Sequence, residues 1–585
     1  MSDDSSSKIL LDDFMANVEK YGTQTFLTQP MGGGKIVAFS YKQVLEESQK
    51  MAGHLGSLNL PPKSQIAICS KNCAWWIMAD LAICMAGHVT VPIFPTLTKE
   101  ITTYTLEHSE SKLLFVGKMD EKPYAEMKEG FTDVPKISFP LCPGADCAET
   151  SWQSILDGAT PALTTPVTRE STEMATIIYT SGSTGKPKGV MISFQAMRDA
   201  TVGICKELVV GQKDRYLSYL PVAHGMERWL GVCVPLYSAE QVWFAESLDT
   251  FVEDLNRCQP TFFLSVPRLW TKFQAGIFAK IPEKKLNRLF KIPLISSLLK
   301  KVLLKKLGLS KVRVAGSGSA PLPADVLAWY LSLGLELCEG YGMTENFNYS
   351  HMTHAGKGKV GFVGQPYDDV DCRIAEDGEI QVKTPGKMMG YFKNPEATAE
   401  TLTEDGYVRT GDKGMIEEYK GVQLLKITGR TKEIFKTSKG KYVAPAPLEN
   451  IMVGHNLVEL ALVTGASYPQ PFCLVQLSDF AKKKALGSAD IRTEYAKELE
   501  AHVKTAINAK VEGHEKLSCV VVISDEWVPE NGYLTPTQKI KRGVIEDAYA
   551  KYFDEWTSKK EAVVWYGFDD NKAPEAEQAT AEVEA

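Results

Sequence analysis

The chain has 585 residues, 44% hydrophobic and 23% charged, with a formal net charge of −7. That length exceeds one ordinary domain, the composition is that of a globular protein, and the acidic balance argues against a general nucleic-acid binder. The first twenty residues carry Asp3, Asp4, Asp12, Asp13 and Glu19 and do not read as a secretory leader. The expected location is therefore the cytoplasm, either free or peripheral on the inner face of a membrane.

In chain order, a strand is expected at Gln65–Cys69, followed by a strongly apolar stretch over 74–95. Asp80, Gly87, His88 and Pro92 interrupt that stretch, so it reads as a buried helix turning into a buried strand rather than a membrane span. Further strands are expected at 112–116, 175–178, 311–315 and 335–338. Their alternation with helical patterns implies parallel sheets covered by helices, an α/β multi-domain chain. Twelve cysteines are scattered without CxxC pairs; Cys142 and Cys147, with Pro143-Gly144 between them, are expected to be reduced thiols like the rest.

The segment 280–311 holds ten basic residues and one acid, Glu283. Pro293 can start a helix in which Ile295, Leu298, Leu299, Val302 and Leu303 share one face. Two readings stand: a surface helix packing that face on the core, or an interfacial helix docking on anionic lipid. Near Gly429-Arg430 the character shifts to shorter elements, with strands at 459–464, Phe472–Leu477 and 519–523 and a helix over 491–510. The end, 569–585, is rich in Ala and Glu and reads as a disordered acidic tail.

The chemistry concentrates in a few runs. The β-branched segment Ala175-Thr176-Ile177-Ile178 leads into Tyr179-Thr180-Ser181-Gly182-Ser183-Thr184-Gly185-Lys186-Pro187-Lys188-Gly189-Val190. Glycine lets backbone approach a phosphate, hydroxyls and N–H groups donate to it, and Lys186 and Lys188 supply charge. The spacing is not that of the Walker loop, which needs a wider gap between glycines and Ser or Thr after the lysine. By composition alone the run reads as a solvated surface loop. As an ordered run it resembles the phosphate loop of the adenylate-forming (AMP-binding) superfamily, which joins a carboxylate to AMP and passes the acyl group to a thiol. The resemblance implies that Thr180, Ser181, Gly182, Ser183, Thr184, Gly185 and Lys186 hold the ATP phosphates, with Thr184 also at the metal.

Six further runs resemble that family's motifs, in the family's order. Tyr219-Leu220-Pro221-Val222-Ala223-His224-Gly225-Met226-Glu227-Arg228-Trp229 is similar to the long-chain acyl-CoA synthetase version. It implies His224 near the substrate carboxylate and Trp229 as a gate to an acyl tunnel; core packing is the alternative for Trp229. In Val314-Ala315-Gly316-Ser317-Gly318-Ser319-Ala320-Pro321-Leu322, small side chains leave a slot for a flat purine. The implied adenine platform is Gly318, Ser319, Ala320 and Pro321, with Ser319 where many relatives have Gly. In Glu339-Gly340-Tyr341-Gly342-Met343-Thr344-Glu345, Tyr341 is implied to stack on adenine, Thr344 to contact the α-phosphate and Glu345 to bind Mg²⁺, Glu339, Gly340, Gly342 and Met343 completing the nucleotide site. One carboxylate plus phosphate oxygens suits an ion that keeps its waters.

Asp412, in Tyr407-Val408-Arg409-Thr410-Gly411-Asp412, is an acceptor-only group suited to a ribose diol. Arg430 is implied to reach the nucleotide from the hinge, where Gly429 replaces the Asp of many relatives, and Lys436 matches a position linked to the second half-reaction. In Leu534-Thr535-Pro536-Thr537-Gln538-Lys539-Ile540-Lys541-Arg542, the family position makes Lys539 the catalytic lysine. Lys541 competes, but the spacing from Pro536 favours Lys539.

The match spans roughly 30–560 and looks most like long-chain or bubblegum-type fatty acyl-CoA synthetases. It implies a large N-terminal AMP-binding domain of stacked sheets over 1–428, a small mobile domain over 429–568 that carries the catalytic lysine, and ATP, CoA and Mg²⁺ as requirements. Alternatives are a ligase for a medium-chain, aryl or amino acid, or one with a carrier-protein acceptor. Glu227 is the nearby acid that would hold an amino-acid ammonium. A nucleotide- or lipid-binding protein without activity is the non-enzyme alternative.

Overall fold

The computed structural model describes residues 7–144, 147–180, 186–320, 322–529, 531–535 and 538–568. Ser181 to Gly185 of the phosphate loop, Pro321 of the adenine platform and the 569–585 tail lie outside the described residues.

The apolar β-branched runs form two large sheets. The first runs in the order Gly390–Tyr391, Lys188–Ser193, Met174–Thr180, Val89–Ile93, Gln65–Cys69, Leu113–Val116, Lys136–Ser138, Thr150–Ser151. It is parallel from Met174–Thr180 outward, as burial on both faces by helices favours. The second has a parallel centre of Thr25–Pro30, Gln241–Phe244, Arg215–Ser218, Phe262–Ser265, Val314–Gly318 and Leu337–Tyr341, with antiparallel strands at both edges.

Between these sheets lies the helix Ala74–Met85, buried on nearly every side and in contact with strands of both. A helix apolar all round belongs in such a place. The expected turn into a buried strand follows at Val89–Ile93, and no described helix is long and apolar enough to cross a membrane. The charge in this helix, Asp80, is met by Arg228, whose Nη2 lies 2.6 Å from Asp80 Oδ1. The Arg228 guanidinium also sits over the Trp76 ring at 4.6 Å.

A third sheet departs from the expected parallel alternation. Asp371–Ile374, Glu379–Lys383, Val408–Tyr419 and Val422–Arg430 pair antiparallel throughout. Its long hairpin turns at Lys420 and Gly421, both at positive φ, the geometry that matches strand twist in a two-residue turn. After it come Phe435–Lys436 paired with Tyr442–Val443, and a separate four-stranded sheet of Val458–Thr464, Phe472–Leu477, Val520–Ile523 and Val563–Tyr566. Alternate residues of Phe472–Leu477 feed two cores, Cys473, Val475 and Leu477 on one face and Phe472 and Leu474 on the other. The helix Ala489–His502 covers the first face.

Two expectations are corrected. Cys142 and Cys147 are not free thiols but are joined in a disulfide, because the turn at Pro143-Gly144 brings their Cα atoms to 6.6 Å, within bridging range. The helix Pro293–Lys306 does not bury one apolar face. Leu303 is buried and Leu299 packs beside it on the core, whereas Ile295, Leu298 and Val302 stand exposed.

Replacing Trp76 (1% exposed) removes both a large core side chain and the ring beneath Arg228. Trp76→Ala should cost about 3–5 kcal/mol of stability, read as a drop in the urea midpoint; a change under about 1 kcal/mol would show that the inter-sheet layer repacks freely.

Candidate active site

Three motif loops leave the carboxyl ends of strands in the second sheet, where open parallel sheets place their ligands. They follow Arg215–Ser218, Val314–Gly318 and Leu337–Tyr341. The last two strands pair in register, Ser317 with Glu339 and Gly318 with Gly340, so the small-residue slot lies beside the Tyr341 motif. Glu339 ties them further: its Oε1 accepts from the Leu322 N–H at 3.3 Å. Burial pushes its carboxyl up to about 7. Ser319 adopts φ +69°, a left-handed conformation that glycine takes without strain, which gives the family's glycine at this position a physical reason.

The His224 and Thr344 loops touch. A Cβ placed on Gly225 would lie 3.0 Å from Asn348 Nδ2 and 3.3 Å from Thr344 Oγ1. At Gly342 a Cβ would fall 2.6 Å from the Asn348 backbone, so only glycine fits the turn that presents Thr344 and Glu345. His224 caps the short helix Gly225–Arg228 by accepting from the Met226 N–H at Nδ1, 3.2 Å away. Burial first, then the charge of Lys539, pushes its imidazole down to about 4, so it is neutral at pH 7.

Glu227, three residues on, is fully buried and its carboxylate is fully engaged. Oε2 accepts from the Tyr216 hydroxyl at 2.7 Å, and Oε1 from the Ser218 hydroxyl at 2.6 Å and Asn72 Nδ2 at 3.2 Å. Asn72 also binds the Leu220 carbonyl and the Val222 N–H, so one amide holds the loop from both sides. Glu227 is thus taken up by the scaffold, which removes it as a partner for an amino-acid ammonium. Burial pushes it up to about 8.

Asp412 joins the nucleotide motifs to the hinge. Its Oδ2 accepts from the Tyr341 hydroxyl at 2.7 Å and its Oδ1 from Arg430 Nε at 2.9 Å. Its lone pairs still leave capacity for ribose hydroxyls. Asp412 and Glu433 raise the Arg430 guanidinium's pKa, outweighing the opposite effect of burial. Glu345 is buried; its Oε1 accepts from the Tyr391 hydroxyl at 2.7 Å, and Lys188 Nζ lies over the Tyr391 ring at 5.1 Å. Lys186 Nζ lies over the Tyr104 ring at 5.2 Å. Thr180 and Lys188 are paired across the first sheet, on either side of the phosphate loop.

Lys539 enters this cluster from the small domain. It sits on a narrow loop in which the Thr535 N–H donates to the Lys539 carbonyl at 2.7 Å and the Lys539 N–H to Thr535 Oγ1 at 3.0 Å. Its side chain is exposed to solvent. The surrounding protein and then Arg430 push its ammonium down, while Asp412 and Glu345 act the other way. Lys539 therefore shares one electrostatic site with His224, Glu345, Asp412 and Arg430. The neighbouring Gln538 Oε1 accepts from Arg268 Nη1 at 3.4 Å, and Arg268 also forms an ion pair with Glu459.

Two expected residues stand apart from the cluster. Lys436 is exposed, its Nζ over the Tyr442 ring at 5.5 Å. Trp229 opens a π-helical turn, Trp229–Cys233, and is buried against Tyr349 and Phe347, with its indole N–H unpartnered. At Gly429 an added Cβ would meet only Ala444 Cβ, at 3.4 Å, so sterics do not demand glycine there. Asn72, Tyr391 and Arg268 were not singled out by sequence, since each acts through partners distant in the chain.

Two large α/β sheets, a separate C-terminal sheet and a polar cluster of Tyr341, Asp412, Arg430 and Lys539 have the layout of an adenylate-forming fold. The chain belongs to the AMP-binding enzyme family: the model of that description matches residues 14–392, and the AMP-binding enzyme C-terminal domain matches 432–561. It is 30% identical over 554 residues to a long-chain-fatty-acid–CoA ligase, FadD15, of Mycobacterium bovis, covering 86% of this chain and 90% of that protein. It is 28% identical to the peroxisomal long chain acyl-CoA synthetase 7 of Arabidopsis thaliana, covering 95% and 86%. The adenylation domain of carboxylic acid reductase from Segniliparus rugosus, solved with AMP and a co-purified carboxylic acid, superposes with a TM-score of 0.75 at 21% identity, covering 94% of each chain.

Glu227 supplies a pH test. Its folded pKa, about 8, lies above the ordinary 4.5, so the stability it contributes is whole below the ordinary value and is lost as pH rises through about 8. Glu227→Gln is of the same shape, keeps one acceptor oxygen and does not titrate. Its melting temperature relative to the parent should climb between those two pH values; a difference that does not vary with pH would refute a buried neutral carboxyl.

Proposed function

We propose that the chain is a long-chain fatty acyl-CoA synthetase, converting ATP, a fatty acid and CoA into acyl-CoA, AMP and diphosphate through an acyl-adenylate. The observation that carries the reading is the Asp412 carboxylate, which accepts from both Tyr341 and Arg430 in a polar cluster whose charges also act on Lys539. In the first half-reaction the acid's carboxylate attacks the α-phosphorus and diphosphate leaves. Lys539 neutralises charge moving between carboxylate and phosphate, and Thr344 contacts the α-phosphate. His224, neutral and with its Nδ1 occupied by the Met226 N–H, offers an Nε2–H donor to the acid's carboxylate. Tyr341, the Gly318-Ser319-Ala320 slot and Asp412 hold the nucleoside. The work is positioning and charge neutralisation rather than proton relay.

Mg²⁺ fits the donor set: Glu345 has one carboxylate oxygen that accepts no hydrogen bond from a described residue, and oxygen is the ligand this ion prefers. Bound there, it would neutralise phosphate charge. In the second half-reaction the small domain turns about Gly429-Arg430, carrying Lys539 away and bringing Lys436 toward the cleft. The CoA thiolate then attacks the mixed anhydride, forming the thioester and releasing AMP. Trp229, with an unpartnered buried N–H at a π-helical turn, is proposed as the acyl gate, since such turns recur at functional sites. The domain limits 1–428 and 429–568 and a cytoplasmic location complete the reading.

Two measurements test it. Acid-dependent AMP release with CoA present, across acetate, octanoate, palmitate, benzoate and amino acids, should peak at palmitate; a peak at an amino or aryl acid would replace the substrate class. Lys539→Ala should lower ATP–diphosphate exchange by about 10²–10³-fold while leaving conversion of supplied acyl-AMP to thioester largely intact. Equal loss of both would sink the division of labour between the two half-reactions.

A further inference from the structure

The helix Pro293–Lys306 carries two apolar stripes where a surface helix ordinarily carries one. The inner stripe runs through Ser296, Leu299 and Leu303 and continues into Leu307, packing on the core beneath the helix Ala324–Leu333. The outer stripe faces solvent. Leu294 is 88% exposed and Leu298 67%, and Ile292, Ile295 and Val302 are exposed beside them. Leu294, Leu298 and Val302 recur every fourth residue and so lie one above another on the helix surface. Nothing among the described residues covers them.

The charge around this stripe is basic except for Glu283, which opens the preceding helix. Lys301, Lys305 and Lys306 stand exposed on the same helix, and Lys291 at its entry. The preceding helix Glu283–Leu289 adds exposed Lys284, Lys285 and Arg288. Of the ten basic residues in this segment, none forms an ion pair with a described residue, although the chain as a whole is acidic at −7. A solvated structural helix would be expected to carry mixed signs and to pair some of them. An unsatisfied cationic rim around free leucines is complementary to a surface that is anionic outside and apolar just beneath. Lysine stems can lie along such a surface while their ammonium groups reach the head groups.

We propose that the exposed face of Pro293–Lys306, with the basic helix before it, is a docking surface for an anionic lipid bilayer, its leucines entering the acyl boundary and its lysines meeting the head groups. The surface is separate from the nucleotide cleft, so docking does not depend on the ligase reading.

The test is flotation of the full chain with phosphatidylcholine vesicles, with and without phosphatidylglycerol, at low and high salt and without ATP, acid or CoA. The chain should float with the anionic vesicles, weaken as salt rises, and stay behind with the neutral ones. Lys301→Ala, Lys305→Ala and Lys306→Ala together should weaken anionic binding about a hundredfold, at about fivefold per lysine. Leu294→Ser with Leu298→Ser should weaken it about as much through lost apolar contact. All five side chains are exposed or at the helix surface, so unchanged melting curves and unchanged octanoate-dependent AMP release should accompany the loss. No flotation with anionic vesicles, equal flotation with neutral ones, or variants that float like the parent would each overturn the proposal. So would a dimer in sedimentation velocity that the leucine variant abolishes, which would give the face to a second copy of the chain.

Discussion

The site rests on one carboxylate and on the strand register that holds it. Asp412 and Arg430 are direct partners across the hairpin of Val408–Tyr419 and Val422–Arg430, so their ion pair is fixed by backbone pairing. A slip of one residue would turn either side chain to the other face of the sheet. The same Asp412 receives the Tyr341 hydroxyl from a different sheet. The Tyr341 motif, Asp412 and Arg430 are thereby locked to one another. Lys539 then enters a field already set by Arg430, Asp412 and Glu345.

A second polar knot supports the acid-binding side. Asn72 and Glu227 staple the loop that presents His224, while Arg228, the next residue, turns the opposite way to meet Asp80 inside the apolar helix. Burying such groups is costly unless each finds partners. Glu227 meets that cost with three donors, whereas Arg228 has Asp80 at Nη2 and the Trp76 face, its buried Nε and Nη1 finding no hydrogen-bond partner among the described residues. These contacts hold the His224 loop from both sides.

Much of this was legible beforehand because it is local. Strands at Gln65–Cys69 and Phe472–Leu477, and the helix-to-strand passage after Ala74, follow from runs of apolar and β-branched residues. The motif residues declare themselves by order and type. What the sequence hides is pairing at a distance. Glu227 reads as a free acid until Asn72, 155 positions away, is seen bound to it. Asp80 reads as a mere interruption until Arg228 arrives. The antiparallel sheet over 371–430 was missed because its strands are partly exposed and lack the continuous apolar run of a buried parallel strand. In Pro293–Lys306 the helical period groups Ile295, Leu298, Leu299, Val302 and Leu303 together, yet only the neighbouring elements decide which half of that arc is covered. The Cys142–Cys147 bridge depends on how a six-residue turn folds, which counting cysteines does not reveal.

The contact that delivers Lys539 has the character of a clasp rather than a weld. Arg268 reaches from the large domain to Glu459 and to Gln538, the residue immediately before the lysine, and its side chain is 54% exposed. Ion pairs of that kind are weak and are screened by dissolved salt. For the two-step reaction proposed above, a weld would trap the ammonium over a finished adenylate, whereas a clasp yields at little cost. The ionic composition of the surroundings would then set how long the proposed first pose lasts before the second.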